Sequence, residues 1–385
     1  VNEAIKKQES LKREVIFHSG EIKYASTDLL GSSGEQIVKR RKEEFRNACI
    51  RNKITKEKLL KSINTWGESK IVVIGDTIID QYAACEALGM SAEAPVLVVK
   101  ELEAKNFLGG AGIVASHIKA LGAQCHLISV VGNDETSRIV EFELNNRQIK
   151  NSLIKDISRP TTFKKRYLVE NQKLFRVSKL EEHNLDKNIE DKIIYEIEKI
   201  ASHIDGIVVS DFVYGVITNR ILEKIISLSK INNLLIFGDV QCSSQVGSIA
   251  RLKDFSLLCP NEREARIALQ DKDSSLEELS QKLIKLTSAK NLIMKLGSEG
   301  FIAYEANNQK FIKSQGFPAL SVNPIDVSGA GDALLSLMAT GISSKQDMML
   351  TSALACCMSC LAVENLGNKP IEKNTLVEFV NEILL

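Results

Sequence analysis

The chain has 385 residues, with 50 Lys and Arg against 49 Asp and Glu and a hydrophobic content of 44%. These proportions are typical of a folded globular protein and exclude a disordered or fibrous chain. Because the net charge is only +1, no overall field attracts nucleic acid or an anionic membrane, and we expect neither as a partner. The longest mostly apolar run, residues 353–363, is too short to cross a bilayer, which takes about 20 residues.

The beginning of the chain and its cysteines bear on the compartment. Residues 1–7 contain no apolar core of a signal peptide, and the eight cysteines are scattered over a long chain. Such scattered cysteines do not form the disulfide framework of a small secreted domain. We therefore expect a cytoplasmic protein.

Residues 1–69 are charged and irregular, and they predict solvated helices rather than a core of their own. We interpret this leader as a linker or as the end of an upstream domain. At residues 71–74 the sequence changes to a continuous apolar run, as in a strand that is buried on both faces. We therefore expect one compact domain over residues 70–385.

From residue 70 onwards, strand-like and helix-like segments alternate. Strands are predicted at residues 71–74, 125–131, 206–210, 234–237, 256–259 and 291–296. Helices are predicted at residues 110–121, 187–202, 219–230 and 261–269. The alternation predicts an α/β fold with a mostly parallel central sheet and helices on both faces. Sites in such folds lie outside the carboxyl ends of the strands.

Two stretches interrupt this alternation. Residues 94–101 and 162–177 are rich in β-branched and alternating residues and have no helix beside them. They could pair as a small separate sheet that serves as a β lid over the site. A plain surface hairpin is the alternative, and periodicity alone does not choose between the two.

The residues with the clearest chemistry lie at 324–335. Gly329, Ala330 and Gly331 open an apolar helix, so their N–H groups stand uncovered at its positive end and favour a phosphate or a developing anion. Asp332 follows in the first turn, where the ionised carboxylate is favoured and can accept the proton of a substrate hydroxyl. The alternative is a Gly-rich loop in which Asp332 only caps the helix.

The pattern Asp-x-x-Gly-Ala-Gly-Asp at residues 326–332 resembles the C-terminal motif of the ribokinase-like (PfkB-type) carbohydrate and nucleoside kinases. Gly109 and Gly110, which open a helix, resemble the Gly-Gly substrate loop of that family. Asp76 and Asp80 resemble the segment after the first strand whose carboxylate holds sugar hydroxyls. The resemblance implies that all four of these residues bind the substrate.

Two further blocks follow in the order that the family shows. Asn261 and Glu264 match its Asn-x-x-Glu motif, which the resemblance connects with Mg²⁺ and the nucleotide phosphates. Their spacing of one helical turn puts both side chains on one side, although helix capping by Asn261 is the alternative. Lys295, Gly297 and Gly300 match the Lys/Thr-x-Gly-x-x-Gly turn beside the nucleotide.

The resemblance also implies roles in the reaction. Asp332 would be the general base, and Asn365 would lie in a turn near the nucleotide. Asp326 matches a position beside a monovalent-cation loop and is a metal candidate together with Glu264; a turn Asp bonded to its own backbone is the alternative. The implied cofactors are ATP and Mg²⁺, with a monovalent cation as a further candidate.

Residues 90–99, 161–166 and 171–176 are similar to the branch that phosphorylates D-glycero-D-manno-heptose 7-phosphate for bacterial surface polysaccharides. In that branch the kinase is often joined to a nucleotidyltransferase domain, and the charged leader could be the end of one. Family members often pair through their lids, so the resemblance also implies a homodimer.

The chain departs from that branch at two lysines. Tyr214 stands in a segment where the heptose kinases have a Lys, and Gln241 follows Asp239 where they have Asp-Pro-Lys. A ligand phosphate could instead be held by Arg166 and Arg176, with Lys164, if the β lid folds over the site. Outward-facing arginines on a strand are the alternative.

We therefore predict a kinase that transfers the γ-phosphoryl group of ATP to a hydroxyl of a sugar or sugar phosphate, with a heptose 7-phosphate as the leading substrate. A kinase for an unphosphorylated sugar or a nucleoside is one alternative. A protein that binds sugar or nucleotide without turnover is another. The Walker A pattern and the G-x-G-x-x-G pattern after the first strand are absent from the sequence, which disfavours a P-loop enzyme and a dinucleotide-binding oxidoreductase.

Overall fold

The computed structural model describes residues 34–170, 172–241, 247–307 and 311–384. The first half of the charged leader therefore lies outside the described residues. The strands, numbered in chain order, are β1 Lys70–Gly75, β2 Thr77–Met90, β3 Leu97–Gly110, β4 Gln124–Val131, β5 Lys150–Lys155, β6 Thr162–Val169, β7 Gln172–Lys179, β8 Gly206–Asp211, β9 Leu235–Val240, β10 Leu257–Leu258, β11 Asn291–Lys295, β12 Phe301–Asn307 and β13 Phe311–Phe317.

Helices lie between and around these strands. They are α1 Gly34–Arg51, α2 Lys56–Asn64, α3 Ala111–Ala120, α4 Glu135–Asn146, α5 Lys187–Ile200, α6 Asn219–Asn232, α7 Glu262–Leu269, α8 Leu276–Thr287, α9 Ala330–Ser343, α10 Met348–Val363 and α11 Lys373–Ile383. Within the described ranges, no helix is both long enough and apolar enough to span a membrane.

The main sheet has the strand order β13-β12-β11-β10-β9-β8-β1-β4-β5. The strands from β11 to β5 in that order pair in parallel, whereas β12 and β13 are antiparallel. Alternate residues of β1 enter opposite cores, with Ile71 and Val73 on one face and Val72 and Ile74 on the other. Helices cover both faces, which confirms the predicted α/β class with its mostly parallel sheet.

A second sheet, the β lid, has the strand order β3-β2-β6-β7. It includes most of the two stretches, 94–101 and 162–177, that interrupt the helix and strand alternation: β3 begins at residue 97, and β6 and β7 cover residues 162–169 and 172–177. Only Asp76 separates β1 from β2, so the β lid begins at the carboxyl edge of the main sheet. Residues in register share a face of this sheet, and Tyr82, Arg166 and Arg176 are aligned across β2, β6 and β7.

The expected boundary at residue 70 differs from the structure. Helices α1 and α2 pack into the same core cluster as β1, α9 and α10, with Phe45, Leu59 and Trp66 fully buried. The ring N–H of Trp66 donates to Gln346 Oε1 at 3.1 Å. Each helix contributes only a narrow apolar stripe, which in α1 consists of residues 45, 48 and 49. Because the rest of the surface is polar, the sequence of this segment predicts solvated helices. Residues 34–69 therefore pack against the same core as the domain predicted from residue 70.

Candidate active site

Charged side chains gather at the carboxyl ends of neighbouring strands of the main sheet. Asp239 lies near the end of β9, Lys295 ends β11, and Asp211 ends β8. Because parallel strands end at the same edge, these groups share one side of the sheet, where α/β folds place their ligands. Helix α9 begins beside them, since a Cβ added to Gly331 would lie 3.4 Å from Lys295 Nζ.

The loop before α9 approaches a buried amide closely. Gly329 is the N-cap residue of α9 and has a φ of +80°, in the left-handed region that favours glycine. A Cβ at this position would lie 2.4 Å from the side-chain oxygen of Asn368. Gly329, Ala330 and Gly331 therefore present the start of the helix without side-chain bulk, and an anion can reach its N–H groups.

Asp332 lies in the first turn of α9 and is only 4% exposed. Gln241 Nε2 donates to its Oδ1 at 2.9 Å. Burial and the nearby Asp239 carboxylate raise the pKa of Asp332 to about 8, although Lys295 and Lys164 act in the opposite direction. Burial thus outweighs the helix dipole, which was expected to favour the ionised form. A carboxyl group with this pKa is a stronger base than an ordinary carboxylate, and it accepts a proton once it is ionised.

Lys295 holds Asp239 with its ammonium group 2.9 Å from both carboxylate oxygens. Burial lowers the pKa of Lys295, but the Asp239 and Glu264 carboxylates together outweigh it and keep the pKa above its ordinary value. The ammonium is therefore charged, and it lies next to the loop that opens α9. The arrangement fixes an ammonium group beside the start of α9.

Asp80 faces the same site from the β lid. Its Oδ1 accepts a hydrogen bond from Arg166, and its Oδ2 accepts one from Asn368 Nδ2 at 3.1 Å. Gly109 packs against this carboxylate so closely that a Cβ would lie 2.5 Å from Asp80 Oδ2. The Arg166 guanidinium also lies over the ring of Tyr82, 5.2 Å from its centroid. Asp80, Gly109 and Arg166 therefore form one surface.

Arg176 is exposed and is aligned with Arg166 across β6 and β7, so both belong to the same face of the β lid. Lys164 lies two residues before Arg166 on that face and is buried. Its ammonium group is 5.1 Å from the ring centroid of Tyr214 and 5.2 Å from that of Phe212. The two segments that lack the lysine of the heptose branch each contact a lysine from elsewhere in the chain. Tyr214 contacts Lys164, and Asp239 contacts Lys295.

Asp76 is not placed with these groups. Its carboxylate accepts a hydrogen bond from the backbone N–H of Phe212 at 2.8 Å. Burial and the neighbouring Asp211 raise its pKa to about 7. Gly110 is the N-cap residue of α3, and the Asp76 carbonyl accepts the N–H of Ala111 at 2.9 Å. Instead of contacting the lid surface, Asp76 ties the ends of β1, β8 and α3 together.

A cleft of about 770 Å³ lies on the other side of Lys295. Asn261, Arg263 and Gly297 are among its lining residues. Gly300 closes the turn between β11 and β12 by donating its N–H to the Gly297 carbonyl at 3.1 Å. The predicted turn therefore borders an open cleft beside the positive charge of Lys295.

The sequence model described as "pfkB family carbohydrate kinase" matches residues 68–374, most of the chain. The chain belongs to the pfkB family of carbohydrate kinases. It is accordingly a phosphotransferase with an alcohol group as the acceptor.

Among curated proteins, this kinase is 29% identical over 319 residues to the bifunctional protein HldE of Helicobacter hepaticus. It is 28% identical over 313 residues to the protein of that name from Campylobacter jejuni. These matches cover 81% and 80% of the kinase, and 64% of each relative. The chain thus spans less than two thirds of the length of these relatives.

Among solved structures, the kinase is similar to Escherichia coli phosphofructokinase-2 in complex with substrates and products, with a TM-score of 0.68 and 14% identity. The match covers 82% of the kinase and 99% of that chain. It is also similar to Arabidopsis thaliana ribokinase complexed with ribose and ATP, with a TM-score of 0.62 and 18% identity over 81% and 99% of the two chains. At these identities the likeness shows the ribokinase-like fold.

Asn261 and Glu264 form a capping box at the start of α7, which is the alternative noted for Asn261. The Asn261 side chain accepts the N–H of Glu264, and Glu264 Oε2 accepts the N–H of Asn261, both at 2.8 Å. Among the described residues no cluster of three or more His, Cys, Asp or Glu could hold a metal ion by itself. A single buried carboxylate such as Glu264 nevertheless fits Mg²⁺, which proteins bind through one or two carboxylates together with substrate phosphates.

Asp326 precedes the loop that opens α9, and its carboxylate is fully occupied. Oδ1 accepts hydrogen bonds from Lys173 Nζ at 2.7 Å and from the Ser328 N–H at 3.0 Å. Oδ2 accepts hydrogen bonds from the Tyr82 hydroxyl at 2.6 Å and from the Gly367 N–H at 3.2 Å. Four donors use the four lone-pair positions of a carboxylate. As it stands, Asp326 therefore does not fit a bare cation, whereas the alternative of a turn Asp bonded to its own backbone is present.

Asn365 does not face the site through its side-chain amide, which donates to the carbonyl of Leu361 at the end of α10 at 2.9 Å. Asn368, three residues further on, bonds Asp80 instead. Sequence reasoning placed Asn368 only in the turn near the nucleotide, and it assigned no role to Gln241, Tyr82 or Lys173. Of these, Tyr82 could have been found, because it lies two residues after Asp80 in a strand and so shares its face.

Proposed function

We propose that this kinase transfers the γ-phosphoryl group of ATP to a hydroxyl of a phosphorylated sugar of the heptose 7-phosphate type, for surface polysaccharide precursors. One observation supports the proposal most. The charged neighbours of Asp332 come from both sides of the site: Asp239 and Lys295 from the sheet edge, and Asp80 and Lys164 from the β lid. In the proposal, Asp332, with charged neighbours from both sides, lies between the nucleotide and the acceptor sugar.

In the proposed reaction, Asp332 accepts the proton of the acceptor hydroxyl as its oxygen attacks the γ-phosphorus. The bond to the leaving oxygen breaks, and ADP departs with that electron pair. Phosphoryl transfer asks the protein mainly for alignment and charge stabilisation. The N–H groups at the start of α9 and the Lys295 ammonium supply the latter. Closure of the β lid excludes water, which would otherwise compete as an acceptor.

The cofactors of this proposal are ATP and Mg²⁺. Glu264 would hold the ion, and when bound the ion neutralises charge on the nucleotide phosphates. The cleft beside Gly297 would receive the nucleoside part of ATP.

Positive charge on the β lid supports a substrate that already carries a phosphate. Lys164, Arg166 and Arg176 belong to one face, which is the face of Asp80. Arginine binds phosphate through two parallel N–H groups, and Arg176 is exposed and available for it. The similarity of residues 90–99, 161–166 and 171–176 to the heptose kinase branch agrees with a heptose substrate. Tyr214 and Gln241, which replace lysines of the heptose branch, favour the second candidate, an unphosphorylated sugar or nucleoside.

The test is ADP release from Mg-ATP with heptose 7-phosphates, hexose phosphates, the matching free sugars and nucleosides. We expect turnover of a heptose 7-phosphate. Arg176→Gln should raise the KM for that substrate about tenfold, since hydrogen bonds to charged groups contribute about 1.5–3 kcal/mol. Lys100→Gln, an exposed change on the same sheet, is the matched control. Turnover of free sugars or nucleosides alone would contradict the proposed substrate and leave the kinase assignment intact.

Three wider features belong to the proposal. We propose a homodimer through the β lid, because Leu88, Met90, Phe175 and Val177 expose at least half of their surface there.

We propose that a nucleotidyltransferase activity accompanies the kinase, because the relatives are named bifunctional and are longer. The seven described cysteines are free thiols, which supports a cytoplasmic location.

A further inference from the structure

The carboxylate of Asp326 sits at the beginning of the loop that leads into α9. Its side chain is fully buried, and only two residues separate it from Gly329. A buried carboxylate without a counter-charge is strongly disfavoured, so this loop needs a positive charge at Asp326. The family resemblance assigns that need to a monovalent cation. The structure fills it with Lys173.

Lys173 comes from β7 of the β lid and reaches the loop across the site. Its ammonium group lies 2.7 Å from Asp326 Oδ1 and 3.3 Å from Ser328 Oγ. It also lies 5.6 Å from the ring centroid of Tyr82, whose hydroxyl donates to Asp326 Oδ2. Carboxylate, hydroxyl and aromatic ring thus surround one cation, and that cation is covalently attached to the protein.

We propose that the Lys173 ammonium is a built-in cation that positions the loop leading into α9, so that the kinase needs no added monovalent cation at Asp326. Lys173 is a positioning residue, because it contacts the loop rather than a reacting atom. The inference goes beyond the proposed function and is independent of the acceptor sugar.

The contact between Lys173 and Asp326 connects the β lid to the loop that leads into α9. The Tyr82 ring contacts two cations, Lys173 and Arg166, and Arg166 in turn holds Asp80 on the acceptor side. A monovalent ion bound at Asp326 would neutralise the carboxylate but would not connect the β lid to this loop. With Lys173 in place, the loop that begins α9 receives its counter-charge only while β7 lies over the site.

Thermal unfolding tests the proposal. Lys173→Met keeps the length of the side chain and removes its charge, and Lys100→Met is the matched control on the same sheet. Each protein is unfolded in tetramethylammonium chloride and in potassium chloride at an ionic strength of about 0.15 M, where exposed charges are screened equally. Tetramethylammonium is too large to take the place of an ammonium hydrogen-bonded to Asp326.

We expect the wild type and Lys100→Met to unfold within about 1 °C of the same temperature in the two salts. Lys173→Met should lose about 2–4 °C in tetramethylammonium chloride and recover at least half of that loss in potassium chloride, because a ligand that binds only the folded state stabilises it. Ammonium chloride should restore stability in the same way. A merely structural ion pair would be lost equally in both salts.

Three outcomes would overturn the proposal. The wild type could gain as much from potassium as Lys173→Met, which would place a cation site apart from Lys173. Lys173→Met could lose no stability, or it could lose stability that neither potassium nor ammonium restores. Lys173→Gln, which keeps a donor for Asp326 without the charge, provides the same comparison if Lys173→Met does not fold.

Discussion

Asp332 experiences two opposing influences. The start of α9 favours an anion, but the carboxyl group is almost fully buried and Asp239 lies nearby, so its pKa rises to about 8. Below that pH the group is largely protonated in the free enzyme and cannot accept the hydroxyl proton. The fraction of active enzyme therefore rises with pH up to this pKa, and kcat/KM of the free enzyme should follow it.

Gln241 offers a way to move this pH dependence. Its amide lies 2.9 Å from Asp332 Oδ1, beside the charges of Asp239, Lys295, Asp80 and Lys164. Replacing it by Lys places a positive charge next to the carboxylate, which favours the ionised form. We expect Gln241→Lys to shift the acidic limb of the profile of kcat/KM against pH downwards by about 1–3 units. The profile is measured by ADP release.

The opposite change is the control. Gln241→Glu adds a negative charge beside Asp332 and should shift the same limb to higher pH. If both variants kept the limb of the wild type, Asp332 would not be the group that titrates in it.

Local sequence predicted the residues that lie in one segment. Gly329, Ala330, Gly331 and Asp332 follow one another, so helix geometry alone places them together. Lys173 and Asp326, by contrast, are 153 residues apart and meet because the β lid folds over the main sheet. No pattern within one segment contains that contact, and the same holds for Asn368 with Asp80.

The helices before β1 show that local sequence has the same limit for the packing of whole elements. Phe45 is fully buried, whereas Ile50 of the same helix is 71% exposed. Removing a buried aromatic ring from a core costs about 3–5 kcal/mol. We expect Phe45→Ala to lower the free energy of unfolding in urea by about that amount, if α1 is part of the fold.

Ile50→Ala is the matched control, because it removes an apolar side chain that the core does not contact. It should change the unfolding free energy by less than about 0.5 kcal/mol. Equal, small effects of the two substitutions would show that residues 34–69 are an independent leader.

The β lid also presents apolar side chains away from the site. Phe175 and Val177 alternate with Arg176 along β7, so they belong to the opposite face. In a dimer, Val177→Lys buries an unpaired charge at the interface, and we expect it to convert the dimer to a monomer. Light scattering after size-exclusion chromatography measures the mass.

Phe142→Lys, an equally exposed apolar residue on α4, should leave the dimer unchanged. A monomeric wild type, or a Val177→Lys variant that remains dimeric, would exclude assembly through this face.

At the scale of the whole molecule, the charged neighbours of Asp332 come from two sheets that meet at one edge. The alternation of strands and helices predicted the parallel sheet, because a buried strand followed by a helix has few other ways to fold. It could not predict how the β lid lies over the sheet edge, since that depends on contacts between distant segments. The site is therefore a property of the assembled fold rather than of one motif.

The most direct test of the proposed mechanism is the turnover of Asp332→Asn with Mg-ATP and the best acceptor. Glu372→Gln, an exposed carboxylate at the start of α11, is the control. We predict that Asp332→Asn lowers kcat by about 10²- to 10⁴-fold, which is the contribution of a general base. ATP binding, followed by calorimetry, should be retained. A kcat within about tenfold of the wild type would contradict the assignment of Asp332 as the base.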